Sequence, residues 1–498
     1  MDRESRIVDR RRNQTGNSTN FRFSAVRDSR TTNHASRILF IGEAVSFSHI
    51  ARPAVLARWA KEAGYAVEFA CGPRYAGVAR AEGFEPHLLR TIAPEDFYGR
   101  LAKGKFFYTR QELDGYVAAE LELIAQLQPD IVVGDFRLTM PVSCELAGIP
   151  YVSLMNAYWS PAAEKFLTAP EGGVWGLLPR FLRENLFSFV TPIAYRVFAK
   201  PLNDLRKFHG LPAFNDFREH YAAGDFTAYL DLPVLFPSLV GRVLESRSLR
   251  VSESTTQEFP DSQTLRPSDS QTSSFFLGPV PWWPAHAPET DLGNLGETRP
   301  LAYVSMGSSG SSKRLAGILT QVMDVGYDVA VSGISAGEGD ALRRAVPALR
   351  GRAVLAEFLN PSAVLDRATV VICHGGSGTI YQAIEKGAPV LALPENADQA
   401  MAARAVEKAG AGRIVTMTTL GDALRDAVAG RWKNAALRLA TAIETHDTRG
   451  RWLRFLENAV VQKSASPRVA ESESSRVLEL EKAGHVSRVT SHGKREMP

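Results

Sequence analysis

The feature that most constrains this chain is an apolar run that ends in a histidine and a glycine-rich turn. Residues 370–373 form an apolar run of strand type, residues 374–379 read His-Gly-Gly-Ser-Gly-Thr, and Ile380, Ala383 and Ile384 then recur at helical spacing. α/β proteins bind phosphate with this order of strand, turn and helix, because glycines admit the anion and the helix N-terminus attracts it. The run therefore predicts a phosphate site at the carboxyl end of a strand.

The turn differs from two common phosphate-binding motifs. No Gly-Lys-Ser/Thr follows it, as a P-loop requires, and it lacks the G-x-G-x-x-G spacing of a dinucleotide site. The histidine and two hydroxyl side chains add hydrogen-bond donors to those of the backbone. The predicted phosphate-binding residues are His374, Gly375, Gly376, Ser377, Gly378 and Thr379.

Short apolar runs alternate with helical patterns in two regions of the chain. The first region has strand-type runs at residues 37–42, 66–70, 130–135 and 149–154, and the second at 301–308, 329–333, 353–355, 370–373 and 389–394. Such alternation is typical of βαβ units and a parallel sheet. The chain is therefore predicted to be an α/β protein with two parallel sheets and a ligand cleft between them.

Charge and cysteine content narrow the class of protein. The net charge of +4 has its source in residues 1–36, where eight Arg face four acidic residues, so the rest of the chain is neutral. A neutral body argues against a nucleic-acid-binding core. Cys71, Cys144 and Cys373 lie among apolar or small residues, which predicts buried free thiols and a reducing compartment. Because no apolar segment has signal-peptide or membrane-spanning length, the predicted location is cytoplasmic, with membrane association at most peripheral.

Three polar segments separate and flank the two regions. Residues 1–36 and 464–498 are predicted to be disordered tails, and residues 246–274, with 13 Ser or Thr in 29 positions, a flexible insertion. The predicted domains are 37–238 and 299–450, joined by a linker at 239–298 and followed by a closing helix at 451–463.

The glycine-rich turn, together with Asp398-Gln399 after the next strand, resembles the nucleotide-sugar site of the glucosyl- and glucuronosyltransferase type of glycosyltransferase, which includes bacterial macrolide-type enzymes. The resemblance spans about residues 37–460 and is strongest over 370–412. It implies the GT-B fold, with two Rossmann-like domains across a donor and acceptor cleft. It also implies that the turn grips the donor diphosphate, and that Asp398 and Gln399 hold sugar hydroxyls. For Asp398, a helix N-cap is the alternative.

The resemblance extends to further donor-site positions. Gly307 and Ser308 are similar to the family's second phosphate loop. Phe358 is the candidate for stacking on the base, where the family often has Trp, and Gln382 stands where the family commonly has a ribose-binding Glu. Because an amide lacks that charge, the nucleotide of the donor remains open between UDP and dTDP.

A catalytic pair is also implied by the resemblance. His49, in the loop after the first strand, stands near the place of the family's general base, although Pro53 follows it by four residues rather than three. An acceptor hydroxyl is a weak nucleophile, and a neutral histidine suits the removal of its proton. Asp135, at the end of the 131–134 run, resembles the family's Asp partner. A loop histidine that packs against its helix is the alternative for His49.

The predicted function is that of an inverting glycosyltransferase. It moves a hexosyl group from a UDP- or dTDP-sugar, as co-substrate, to a hydroxyl of a small, lipophilic acceptor. Neither a cofactor nor a metal is expected, since no Asp-x-Asp motif occurs. Two alternatives are a nucleotide-sugar hydrolase or epimerase of the same fold, and an auxiliary protein that binds the donor without turnover. Candidates for an acceptor pocket, with ordinary core packing as the alternative, are Phe97, Tyr98, Phe106, Phe107, Tyr108, Asn156, Tyr158 and Trp159.

Overall fold

The computed structural model describes residues 36–163, 179–248, 273–284, 289–306 and 314–464. Within these ranges the chain forms two β-sheets, one from each half of the sequence, and all the strand pairs are parallel. The prediction of an α/β protein with two parallel sheets is therefore confirmed.

The first sheet has seven strands in the order β3-β2-β1-β4-β5-β6-β7. These strands are β1 (Arg37–Gly42), β2 (Ala66–Cys71), β3 (His87–Leu88), β4 (Ile131–Asp135), β5 (Tyr151–Met155), β6 (Phe226–Tyr229) and β7 (Ser273–Phe276). Strands β4 and β5 are buried at every residue, as expected for a sheet covered on both faces. The chain reverses its direction of travel across the sheet between β1 and β4, which leaves a crevice at their carboxyl ends.

The second sheet has six strands in the order β10-β9-β8-β11-β12-β13. They are β8 (Leu301–Ser305), β9 (Asp328–Ser332), β10 (Ala353–Ala356), β11 (Ala368–Cys373), β12 (Val390–Ala392) and β13 (Gly412–Ile414). Here the corresponding crevice lies between β8 and β11, so the glycine-rich turn after β11 stands at the usual ligand position of such a sheet.

Sixteen helices connect and cover the strands within the described ranges. In the first half they are α1 (Ser48–Glu62), α2 (Ala76–Ala81), α3 (Pro94–Ala102), α4 (Arg110–Leu127), α5 (Met140–Ala147), α6 (Arg180–Phe208), α7 (Phe217–Ala222) and α8 (Pro237–Ser248). In the second half they are α9 (Leu315–Val325), α10 (Ala336–Ala345), α11 (Pro361–Leu365), α12 (Ser377–Glu385), α13 (Ala397–Lys408), α14 (Leu420–Val428), α15 (Lys433–His446) and α16 (Thr448–Ser464).

The last helix, α16, packs against the first sheet's domain although it follows the second in sequence. Trp452 is fully buried there, its ring lies 6.1 Å from that of Phe40, and its Nε1 donates to the carbonyl of Leu56 over 3.1 Å. A single apolar core thus contains side chains from both β1 and α16.

The polar segments and the cysteines can be compared with their predictions. The tails lie outside the described residues, apart from Ser36 and Ser464, and so does most of the predicted insertion at 246–274. Residues 246–248 complete α8 and residues 273–274 begin β7, so the insertion as predicted was too long at both edges. The three cysteines are buried free thiols, as predicted.

Candidate active site

The structure brings His49 and Asp135 together at the crevice of the first sheet. His49 is the second residue of α1, Asp135 is the last residue of β4, and Nδ1 lies 2.8 Å from Oδ1. The carboxylate is fully buried, whereas the imidazole is 19% exposed. With the carboxylate on Nδ1, the atom of the ring that can accept a proton is Nε2.

Two local features set the position of His49. Pro53 lies inside α1 and has no N–H to donate, so the carbonyl of His49 is released from the usual helical bond. That carbonyl oxygen lies only 2.2 Å from the point that a Cβ on Gly42 would occupy. The first turn of α1 can therefore lie this close to the end of β1 only because position 42 is glycine.

The side chain of Phe136 packs against a face of the His49 imidazole. The backbone of Phe136 has a φ of +53°, a region that non-glycine residues rarely adopt. The ring stacks on that of His49, with centroids 4.9 Å apart and an interplanar angle of 13°. Strained residues of this kind concentrate at functional sites, because the surrounding structure must hold them in place.

Arg52 is the main residue of this site that the sequence analysis missed. It donates from Nε and Nη2 to the two oxygens of Asp135, each over 2.9 Å, and its Nη2 lies 3.2 Å from Nδ1 of His49. Burial raises the pKa of Asp135, but Arg52 and His49 outweigh it, so the net direction is down. The signal was available, since positions i and i+3 share one face of a helix.

Polar residues follow several neighbouring strands of the first sheet. Arg52 donates from Nη1 to Oδ1 of Asn156 over 2.6 Å, and Nδ2 of Asn156 lies 3.2 Å from each oxygen of Asp231. The hydroxyl of Tyr381, on α12 of the second domain, donates to Oδ1 of Asp231 over 2.6 Å. The buried polar network of the site therefore crosses from one domain to the other.

A second buried charge cluster is formed around Arg137. Arg137 donates to Glu43 over 2.8 Å and to Glu120 over 2.6 Å, and all three side chains are buried. One positive charge thus faces two carboxylates. Burial raises the pKa of Glu43 to about 7, although Arg137 opposes the shift.

We expect Glu43→Gln to change how stability depends on pH. A carboxyl whose pKa is higher in the folded state binds more protons there, so its contribution to stability is lost as pH rises from 4.5 to about 7. Because the amide carries no charge, the unfolding free energy of the variant relative to wild type should increase by roughly 3 kcal/mol between pH 4.5 and 8.5. Urea denaturation at the two pH values measures it.

Glu145→Gln, at a carboxylate 45% exposed, is the control and should show no such change. Parallel pH dependence of Glu43→Gln and wild type would contradict the expected effect.

In the glycine-rich turn, the backbone passes very close to neighbouring groups of the protein. Gly375 has a φ of +95°, and a Cβ there would lie 2.8 Å from the carbonyl oxygen of Gln399. A Cβ on Gly376 would lie 2.6 Å from Nε2 of His374. Ser377, Gly378 and Thr379 then form the first turn of α12. Both positions before the helix therefore require glycine.

His374 is buried beneath this turn. Burial lowers its pKa to about 4, while the carbonyl of Ser305 and the charge of Asp398 oppose the shift. At neutral pH the ring is therefore uncharged and carries a single N–H. Its buried Nδ1 has no hydrogen-bond partner among the described residues, so the ring can donate to a phosphate oxygen in the tautomer that carries the proton on Nδ1 and gives up the bond to Ser305.

Gln382 and Phe358 lie near a tryptophan that the sequence analysis did not single out. Nε2 of Gln382 donates to the carbonyl of Trp282 over 2.7 Å. The ring of Trp282 meets Phe358 edge to face at 6.5 Å and Phe47 at 5.0 Å. Phe358 is 39% exposed, so one aromatic face remains open to a ligand. Sequence distance hid Trp282, because it lies in the linker between the domains.

Asp398 and Gln399 occupy the first turn of α13. The helix is capped by Asn396, which accepts from the backbone of Gln399 over 3.0 Å, so Asp398 is not the N-cap. Oδ1 of Asp398 accepts from Nε1 of Trp159, in the first domain, over 2.7 Å. Gln399 is buried and its Oε1 accepts from the backbone of Glu395. Gly307 and Ser308 lie outside the described residues.

The two candidate loops face each other. Oγ of Ser48, next to His49, lies 3.5 Å from the point that a Cβ on Gly378 would occupy. Beside them an aromatic cluster, formed by Phe97, Phe106, Phe107, Tyr108 and Phe136, reaches the imidazole of His49 through Phe136. The arrangement brings the His49–Asp135 pair, the glycine-rich turn and aromatic side chains close together.

The described part of the chain contains no group of three or more His, Cys, Asp or Glu side chains that could hold a metal ion. None of its helices has the length and apolar content needed to cross a membrane.

Two parallel-sheet domains that face each other in this way define the GT-B fold. The spinosyn rhamnosyltransferase SpnG, solved with thymidine diphosphate, is similar to this chain with a TM-score of 0.53 and 19% identity, over 85% of this chain and 100% of that chain. At that identity the similarity shows the fold alone. Residues 316–449 match the family model for the C-terminal domain of erythromycin biosynthesis protein CIII-like proteins.

Two mycobacterial proteins show the family. A PGL/p-HBAD biosynthesis glycosyltransferase of Mycobacterium tuberculosis (strain ATCC 25177 / H37Ra) is 34% identical over 82% of this chain and 88% of that protein. A PGL/p-HBAD biosynthesis rhamnosyltransferase of Mycobacterium bovis (strain BCG / Pasteur 1173P2) is 34% identical over 82% of this chain and 84% of that protein. The chain belongs to this family of glycosyltransferases, and the predicted enzyme class is confirmed.

Proposed function

We propose that this glycosyltransferase moves a hexosyl group from a dTDP- or UDP-sugar to a hydroxyl of a small, lipophilic acceptor, with inversion at the anomeric carbon. The observation that carries the proposal is the His49–Asp135 contact of 2.8 Å beside the glycine-rich turn. It combines a base for the acceptor with a phosphate site for the leaving group in one cleft.

The base side follows from the chemistry of the contact. Nε2 of His49 takes the proton of the acceptor hydroxyl as its oxygen attacks the anomeric carbon. Asp135 holds the tautomer with the proton on Nδ1 and stabilises the imidazolium that forms. A single in-line displacement by an activated hydroxyl inverts the anomeric centre.

The leaving-group side follows from the turn. The nucleoside diphosphate departs toward the N-terminus of α12, where backbone N–H groups, Ser377 and Thr379 are available as donors. The neutral ring of His374 adds one more. Donors fixed before the reaction stabilise the charge as it develops, without reorganising. His49 is thus assigned to the attacking hydroxyl, and the glycine-rich turn to the diphosphate that leaves.

The base of the donor is open between thymine and uracil, and we favour dTDP. The spinosyn rhamnosyltransferase binds thymidine diphosphate, and one mycobacterial relative is a rhamnosyltransferase. Gln382, without the charge of a Glu, is bonded to the carbonyl of Trp282 rather than directed at a ribose. A nucleoside that contains deoxyribose, with one hydroxyl fewer than ribose, agrees with that arrangement.

The acceptor is assigned to the aromatic side of the cleft. Phe136, which is partly buried, stacks on His49, and the buried Phe107 packs behind it. A lipophilic alcohol or phenol bound there presents its hydroxyl to the base. Aromatic surface with few polar groups favours binding by burial of apolar area.

Calorimetry with dTDP, UDP and GDP, followed by turnover with the matching sugar and a panel of phenolic acceptors, tests the proposal. We expect selective binding of dTDP or UDP, activity that persists in EDTA, and a product whose anomeric configuration by NMR is opposite to that of the donor. Retention of configuration contradicts the displacement. Release of free sugar without transfer favours a hydrolase, and binding without turnover favours an auxiliary protein.

The donor site can be tested separately with His374→Phe. Loss of a hydrogen bond to a charged group costs about 1.5–3 kcal/mol, so we expect the Kd for dTDP to rise by roughly 10- to 100-fold. His446→Phe, at a half-buried histidine bonded to the carbonyl of Leu277, is the control and should bind as wild type. Equal affinity of His374→Phe and wild type would place the diphosphate elsewhere.

A further inference from the structure

One buried carboxylate, linked to His49 through two other side chains, has no part in the proposed function so far. Asp231 follows β6, is 2% exposed, and connects to Asp135 through Asn156 and Arg52. Isolated charges are seldom buried unless they are paired, and the nearest cation, Arg52, already makes a two-pronged contact with Asp135.

Counting charges shows what Asp231 adds. With His49 neutral, Asp135 and Asp231 carry two negative charges and Arg52 one positive charge. When His49 accepts a proton, the two cations balance the two anions. Without Asp231, the imidazolium and the guanidinium of Arg52, whose Nη2 lies 3.2 Å from Nδ1, would share a single carboxylate.

We propose that Asp231 is a positioning residue of the base, the second carboxylate that makes protonation of His49 favourable beside Arg52, and that Tyr381 fixes it from the donor domain. The inference rests on the proposed function for its catalytic meaning, but the charge network itself does not. The base is therefore complete only when both domains contribute to it.

The hydrogen bonds around Asp231 agree with an ionised carboxylate. Its oxygens accept from the hydroxyl of Tyr381 over 2.6 Å, from the backbone N–H of Ala157 over 2.6 Å and from the amide of Asn156 over 3.2 Å. All three partners act as donors, which is the pattern that an acceptor-only carboxylate requires. Burial raises the pKa of Asp231 and remains the larger effect, although these donors and Arg52 oppose it.

The other titratable groups around the base do not supply this charge. Asp398 is on α13, where it accepts from Trp159, whereas the described hydrogen bonds of Arg52 lead to Asp135, His49 and Asn156. Tyr221, on α7, has its hydroxyl 3.5 Å from Asp135, and burial raises its pKa well above the usual value. Tyr158 lies nearby, and burial raises its pKa as well. Both phenols stay neutral where histidine titrates, so Asp231 is the carboxylate that the network connects to Arg52.

NMR of ring-labelled histidine in the full-length protein tests the inference without any substrate. The signal of His49 is assigned by its loss in His49→Gln. In Asp231→Asn, which keeps the shape and removes the charge, the titration midpoint of His49 should move to lower pH by about half a unit to one unit. Asp231→Glu, which restores the charge but disturbs the packing, should titrate near wild type.

Two further variants complete the test. Tyr381→Phe removes a donor to the charged form of Asp231, which raises the pKa of that carboxyl further and lowers its ionised fraction where His49 titrates. The midpoint should therefore move in the same direction by a smaller amount. This variant also serves if Asp231→Asn fails to fold. Tyr327→Phe, whose hydroxyl bonds to the carbonyl of Leu424 within the second domain, is the matched control and should leave the midpoint unchanged.

The outcomes separate this inference from the proposed function. Unchanged midpoints in Asp231→Asn and Tyr381→Phe overturn it, even if both variants lose activity, because a merely structural role would lower turnover without moving the titration. Shifted midpoints in a protein that transfers no sugar would support the charge network and reject the proposed function. In an active enzyme, the acid limb of the pH profile of kcat/KM should move with the NMR midpoint.

Discussion

Replacement of His49 by alanine should lower kcat by about 100- to 10,000-fold, the range over which a positioned general base acts. The loss follows because the acceptor hydroxyl must then give its proton to water. Binding of dTDP should stay within about twofold of wild type, since the turn that we propose as the diphosphate site belongs to the other domain. Steady-state kinetics and calorimetry measure the two quantities on the same preparation.

The control for this prediction is His87→Ala, at a partly exposed histidine that pairs with Glu68. It should keep both kcat and donor affinity. If His49→Ala turns over at the wild-type rate, the base lies elsewhere, and the contact with Asp135 is a packing arrangement. If instead donor binding is lost together with turnover, His49 acts on the donor.

The largest loss of stability is expected from Trp452→Ala. Truncation of a buried Trp or Phe typically costs 3–5 kcal/mol, through lost apolar burial and the cavity left behind. Trp452 is fully buried, stacks on Phe455 with ring centroids 5.6 Å apart, and loses its bond to the carbonyl of Leu56 as well. We therefore expect the unfolding free energy to fall by about 4 kcal/mol in urea denaturation.

Val428→Ala, at a half-exposed side chain on α14, is the control and should change stability by less than about 0.5 kcal/mol. The prediction also specifies which of the two domains loses stability. Because α16 lies on the first domain, Trp452→Ala should weaken that domain although the residue follows the second in sequence. A loss below about 1 kcal/mol would show that α16 contributes little to the core.

The fold was largely accessible from the sequence, because its signals are local. Each long strand of a parallel sheet is a continuous apolar run, and runs such as 301–305 and 368–373 lie within or overlap the predicted ones. Short edge strands carry too little pattern, so β3, with two residues, and β13, with three, were not predicted. Nor were β6 and β7, the second of which follows a long polar segment.

The candidate site was accessible only in part. The glycine-rich turn could be recognised because its residues are consecutive. His49 and Asp135 were paired by resemblance, and the structure places them in contact. Arg52 was missed, although it is one helical turn from His49, because an arginine on a helix usually faces solvent. Their assigned roles stay predictions until the variants are measured.

Consecutive residues therefore determined the parallel sheets, the turn after β11 and the loop after β1, since strand, turn and helix preferences are properties of short segments. Only the tertiary structure decided which polar side chains share the cleft. Asp231 and Tyr381 are 150 residues apart, yet they are joined by a hydrogen bond of 2.6 Å. No local preference encodes such a contact. It arises because parallel strands bring their carboxyl ends to one edge, and because the two domains close on each other there.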